Sequence, residues 1–157
     1  MIIPEYCTTG ENDLELIRDL WVQLNDYHLQ RARYFRQHYE RMRFEDRKEY
    51  FLGIARTGRL YIDLARDRTS GRFVGYCVSS ISAEKNGEIE SIFVEDQYRS
   101  AGVGSALMKR VLTRMDDAGV ARKRVSVADG NDIAGSFYRK FGFYPRMEIL
   151  EQKNEFS

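Results

Sequence analysis

Arg99, Gly102 and Gly104 fall within the six residues Arg99-Ser100-Ala101-Gly102-Val103-Gly104, where an apolar run gives way to a helix-like pattern. Backbone N–H groups in the first turn of a helix have no internal partner, and the macrodipole makes that end partially positive. Glycines there strip away side chains and let an anion approach the backbone closely. An arginine adds a permanent cation whose forked donor edge suits phosphate. Such a loop can cradle a diphosphate. A tight strand-to-helix turn that needs glycine only for its dihedrals is the competing explanation. No G-x-x-x-x-G-K-[ST] occurs, which excludes a P-loop. The loop is also not G-x-G-x-x-G and does not open a βαβ unit, which disfavours a dinucleotide fold.

A wider pattern surrounds the loop. Ile92, Phe93, Val94, Tyr98, Arg99, Gly102 and Gly104 are followed, in order, by Val127, Asn131, Ala134, Phe137, Tyr138, Lys140, Phe141, Gly142 and Phe143. Over residues 72–145 this resembles the Gcn5-related N-acetyltransferase (GNAT) superfamily. The resemblance implies that Arg99, Ser100, Ala101, Gly102, Val103, Gly104 and Ser105 bind the pyrophosphate of acetyl-CoA, the co-substrate, with no metal. It implies that Ile92, Phe93 and Val94 pair through their backbone with the pantetheine arm, as an added strand would. Asn131 would contact the cofactor as well as cap the helix beside it. Tyr138 would protonate or hydrogen-bond the coenzyme A thiolate as it leaves, unless it is simply an aromatic packed on the sheet.

The other chemical demand is a neutral amine. An alkyl ammonium has a pKa of about 10.4, so a base must take its proton first. Glu90 is the favoured base, with a solvated surface acid as the alternative. In a regular strand Glu88, Glu90 and Ile92 share one face, although strands of this superfamily tend to bulge here.

These residues need elements to hold them. Residues 1–7 read as a strand. Glu11-Asn12-Asp13 opens a helix with Leu14, Ile17, Leu20, Trp21, Leu24 and Tyr27 on one stripe. A second helix is expected over 39–53, with Gly53 near its end. The period then changes to two. Strands at 59–67, 72–82 and 88–94 form an antiparallel meander, with Asn86-Gly87 as a hairpin signal. A helix over 103–118, a strand at 124–128, a helix over 131–141 and a closing strand through FGFYPRMEIL complete the order. The expected fold is a single α/β (α+β) domain over 1–157. Its central sheet is mixed and mostly antiparallel, with six to seven strands and helices on both faces.

Composition narrows the partners. The chain has 157 residues, with 25 Lys and Arg against 24 Asp and Glu, so no global field attracts nucleic acid or membrane. No apolar run is long enough to span a bilayer, and no signal peptide opens the chain. Two cysteines and two histidines form no metal-ligand spacing, and free thiols suit the cytoplasm. Residues 31–48 carry seven Lys or Arg against three Asp or Glu. Tyr27, Tyr34, Tyr39 and the histidines of this region could shape an acceptor pocket. The arginines would suit an acceptor bearing a carboxylate or phosphate, or be neutralised by Glu40, Glu45 and Asp46. The strand I-E-S-I-F-V instead resembles that of polyamine and aminoglycoside acetyltransferases, which implies acids that receive a cationic amine, and Glu88 and Glu90 would fit. The expected acceptor is a small-molecule primary amine (polyamine, amino-sugar or amino-acid-like). A protein N-terminus or lysine, or a module that binds acyl-CoA without turnover, is the alternative. The strand edges and the tail 143–157 could support a homodimer.

Overall fold

In the computed structural model residues 2–154 are described; Met1, where the first expected strand begins, and residues 155–157 lie outside the described residues. Among the described residues the sheet has five strands: β1 (Pro4–Thr9), β2 (Gly58–Asp67), β3 (Phe73–Ser82), β4 (Asn86–Val94) and β5 (Arg122–Val125). They lie in sequence order. The first four pair antiparallel, and β5 runs parallel to β4.

The meander forms where the alternation demands it. Leu60, Ile62 and Leu64 of β2 face one core with Tyr76, Val78 and Phe93. That core is closed by a 3-10 turn (Glu11–Ile17), α1 (Arg18–Arg31) and α3 (Phe44–Thr57), through Leu14, Ile17, Leu20, Trp21, Phe44 and Phe51. On the opposite face lies α5 (Val103–Asp117), which buries Val103, Leu107, Met108, Val111 and Met115 against Val74, Cys77, Ile89 and Val94. Each such side chain contributes about 1.5–3 kcal/mol when fully buried. α6 (Asp132–Arg139) adds Tyr138 to the same core. The 3-10 turn, in place of the first turns of one long helix, bends the chain at Asp13 (φ −114°, ψ 23°).

Several expectations are corrected. The second helix is two: α2 (Arg36–Arg41) and α3, divided at Met42-Arg43, with Gly53 inside α3 rather than at its end. A one-turn helix, α4 (Asp96–Arg99), precedes the glycine loop. The turn before β4 is made by Lys85 (φ 61°), not by Asn86-Gly87. Gly87 lies within the strand, paired with Ile81, where a Cβ would stand 2.7 Å from Met115 Sδ. The closing strand does not form, so the sheet has five strands rather than six or seven. β5 ends at Val125 after four residues and offers little ladder to pair with, and Pro145 removes a donor. Phe143 still packs on the core, whereas Tyr144, Met147, Ile149 and Leu150 are exposed.

One buried charge ties the sheet to α5. Asp63 is fully buried and accepts from Arg114 Nη1 at 2.8 Å and Nη2 at 2.7 Å, from Arg110 Nε at 3.3 Å and from Thr8 Oγ1 at 2.7 Å. Asp63 sits between Ile62 and Leu64, so the strand's alternation turns it toward α5.

Candidate active site

The site begins with an extra residue in β4. Pairing runs Val78 with Ser91, then Ser79 with Ile89, so Glu90 is bulged out of register. The extra residue flips the strand's facing. Ile92 packs with the α5 core, whereas Glu90 turns to the α1–α3 side. The expected shared face of Glu88, Glu90 and Ile92 is therefore half correct: Ile92 leaves it.

The same place parts the strands. β4 pairs with β5 only from Asn86 with Arg122 to Ile89 with Val125. Beyond that pair the edge of β4 that runs through Ile92, Phe93 and Val94 has no strand beside it. Residues 126–131 loop away and dock beneath the end of α1. Tyr27 Oη donates to Asn131 Oδ1 at 3.4 Å, Arg33 pairs with Asp129, and Gly130 (φ 88°) lies so close that a Cβ would be 2.3 Å from the Arg31 carbonyl. Asn131 makes no side-chain cap bond to α6; its carboxamide oxygen takes the Tyr27 hydroxyl instead.

A cavity of about 190 Å³ opens in this gap. Glu90, Ser91, Ile92, Val127, Asn131 and Tyr138 form its sheet side; Trp21, Asn25, His28, His38, Tyr39 and Arg47 form its helical side. Glu90 accepts from Ser80 Oγ at 3.1 Å, and burial, with the nearby charge of Glu88, pushes its carboxyl above the usual glutamate range. That direction favours a proton acceptor active near neutrality. Glu88 itself is paired with Arg124 at 2.9 Å. Burial pushes His28 below the usual histidine range, toward the neutral imidazole. Tyr138 is 8% exposed, and its hydroxyl has no hydrogen-bond partner among the described residues. Burial, reinforced by the Cys77 thiol, pushes that hydroxyl well above the usual tyrosine range. Tyr138 therefore stays protonated and presents a donor to the cavity.

The glycine loop stands at the α5 N-terminus, outside the cavity lining. Gly102 takes φ 77° as the residue before the helix, and a Cβ there would meet open space. At Gly104 a Cβ would meet the Phe137 ring of α6 at 3.4 Å, so α5 and α6 lie close together there. Ser100 and Ala101 are exposed, and Ser105 is half-buried; the Val103 side chain is fully buried, leaving only its N–H available. Arg99 turns back from the loop. Its Nε donates to the Val94 carbonyl at 2.9 Å, its Nη1 meets Asp96 at 2.5 Å, and its guanidinium lies over the rings of Tyr27 and Phe93. Among the described residues no three His, Cys, Asp or Glu side chains gather as metal ligands, and no helix is long and apolar enough to cross a membrane.

Comparison with known proteins identifies the family. The sequence profile of the acetyltransferase (GNAT) family aligns with residues 17–143. The chain belongs to that family. Over 76 residues it is 33% identical to an uncharacterized N-acetyltransferase of Mycobacterium tuberculosis, covering 48% of this chain and 49% of that protein. Over 67 residues it is 33% identical to the thialysine N-epsilon-acetyltransferase of Sus scrofa, covering 43% and 39%. The chain thus spans half or less of the length of these curated relatives. In fold it superposes on the aminoglycoside N-acetyltransferase AAC(6')-Iy, solved with a CoA bisubstrate analogue, at a TM-score of 0.66, 17% identity and coverage of 98% and 99%.

Of the residues marked out by sequence, the structure gathers Glu90, Ile92, Asn131 and Tyr138 on one cavity, with His28, His38 and Tyr39. Tyr34 is exposed and Tyr27 lies outside the lining. Arg47 was not singled out by sequence. Its signal was present: it falls three residues after Phe44 and four before Phe51, on the buried stripe of α3.

Proposed function

We propose that the protein transfers an acetyl group from acetyl-CoA to a primary amine of a small molecule, by direct attack in a ternary complex. The observation that carries this is the sharing of one cavity by Glu90 and Tyr138 where β4 and β5 part. Glu90 takes the proton of the incoming ammonium, directly or through water. The amine then attacks the thioester carbon, and Tyr138 meets the developing thiolate with its hydroxyl. The N–H groups of Val103, Gly104 and Ser105, opened by Gly102, hold the diphosphate at the start of α5. Ser100 and Ala101 border that loop, and Asn131 stands beside the acyl end. Ile92, Phe93 and Val94 pair with the pantetheine amides along the free strand edge. Arg99 holds the Val94 carbonyl, so it releases that acceptor and swings toward the phosphates when the cofactor enters. Relatives named for thialysine and aminoglycoside acetylation support a small amine acceptor. Acetylation of a protein terminus or lysine is the second reading, and the small volume of the cavity, about 190 Å³, favours a small acceptor. The two cysteines, Cys7 exposed and Cys77 buried, are unpaired, which suits a reducing compartment such as the cytoplasm.

The test is thiol release from acetyl-CoA with a panel of primary amines. Turnover is expected, with losses of at least tenfold for Tyr138→Phe and Glu90→Gln. Tight acetyl-CoA binding without turnover for any amine or peptide would point to a binding module instead.

A further inference from the structure

The cavity lining holds one carboxylate, Glu90, and one permanent cation, Arg47. Most of the basic residues of 31–48 are engaged elsewhere. Arg33 pairs with Asp129, Arg43 with Asp46 and Lys48 with Glu15, and Arg31 stacks on Tyr27 at 3.6 Å. Arg47 reaches the cavity and has no carboxylate at ion-pair distance among the described residues. One of its five N–H groups is used: Nη2 donates to the Glu90 carbonyl at 3.0 Å. Its faces lie over the rings of Tyr50 and Phe51, at 4.7 and 4.8 Å, which fixes the plane and leaves donor edges unfilled. Spare donor edges on a guanidinium held in place at a cavity wall are suited to a charge-assisted bond with an anion.

We infer that the acceptor carries an anionic group, a carboxylate by preference, which Arg47 binds while Glu90 faces the amine. The substrate class is therefore a small amino acid rather than a polyamine or a polycationic sugar. This rests on the proposed acetyl transfer. Size agrees: about 190 Å³ is below the roughly 300–1,000 Å³ of sites for drug-sized ligands. Charge agrees as well, because a zwitterion presents one charge to each of the two charged side chains. A polyamine would set a second cation against Arg47.

The experiment uses three pairs that differ by one carboxylate: L-lysine and cadaverine, L-ornithine and putrescine, β-alanine and ethylamine. Thiol release from acetyl-CoA gives kcat/KM for each. At least one amino acid is expected to exceed its decarboxylated partner by tenfold or more. In Arg47→Met that ratio collapses toward one, and in Arg47→Lys part of it returns. The ratio isolates anion recognition, because any disturbance of Glu90 falls on both members of a pair. Melting curves for both variants identify one that fails to fold, and the other then carries the test. Equal or better turnover of the decarboxylated partners overturns the inference and leaves acetyl transfer standing. A ratio unchanged in both variants overturns it too, as does absence of turnover with all six. Calorimetry with acetyl-CoA alone distinguishes that last outcome from failure of the proposed function, which would show no binding.

Discussion

Removing the Tyr138 hydroxyl should separate activity from stability. The hydroxyl makes no hydrogen bond among the described residues, so Tyr138→Phe breaks none of theirs. The ring contacts with Phe137 at 5.3 Å and Phe143 at 6.1 Å remain. Burying an unpartnered hydroxyl costs about 1–3 kcal/mol, reduced here because the cavity can hold water beside it. Stability should therefore stay within about 1 kcal/mol of the parent or rise slightly. For a domain of this size that is a melting shift of no more than about 4 °C. Activity should move the other way. A positioned acid is worth roughly 10²–10⁴-fold, and a loss of at least tenfold corresponds to about 1.4 kcal/mol of transition-state stabilisation. Steady-state thiol release at saturating acetyl-CoA, beside calorimetric melting, reads both quantities. A Phe variant that melts far below the parent would show that the hydroxyl is structurally bonded. One that turns over at the parent rate would show that another group meets the thiolate.

Four further outcomes are expected from the geometry. The raised Glu90 pKa means that activity climbs with pH through a value above that of an ordinary glutamate, and Glu90→Gln should erase this limb from the kcat/KM profile. The same shift makes the Glu90 contribution to stability complete below the unfolded pKa and lost as pH rises through the folded one, so urea midpoints of the parent, but not of the Gln variant, should carry that loss. Gly102→Asp puts a non-glycine residue at φ 77° and a carboxylate where the diphosphate should lie; a cost of about 1–2 kcal/mol in folding and at least tenfold weaker acetyl-CoA binding by calorimetry are expected, while unchanged heats would remove the loop from the cofactor site. Asp63→Ala strands two arginines and should cost about 3–5 kcal/mol in urea unfolding; adding Arg114→Met should recover part of that loss, and strict additivity would refute a coupled cluster.

What could be read in the sequence was whatever depends on local period. Leu60, Ile62 and Leu64 alternate, Val103 to Met115 follow a helical stripe, and both elements lie within a residue or two of expectation. The glycine loop was legible because few residues other than glycine can precede α5 at φ 77°. What failed depends on partners distant in the chain. FGFYPRMEIL has strand-like composition, but a strand needs a neighbour, and β5 stops short. Asn86-Gly87 looks like a turn until Met115 is seen to fill the space above Gly87. The bulge at Glu90 has no composition of its own; it is visible only in the pairing with β3, and it reassigned Ile92. Arg47 was hidden among six other basic residues until their partners could be told apart.

The two faces of the sheet separate two tasks. In the proposed reaction the grip on the carrier falls to α5 and α6, packed on one face, and the helical wall of the acceptor chamber to α1, α2 and α3 on the other. The ties that cross between them gather at α1 and the residues just after it: Tyr27 to Asn131, Arg33 to Asp129, Gln23 to Glu95, the Arg99 guanidinium over Tyr27 and Gly130 against the Arg31 carbonyl. In that arrangement, residues of the first third of the chain other than those at these ties are the ones to exchange for a different nucleophile while the thioester stays seated as before. Retargeting this scaffold is a matter of redrawing one wall.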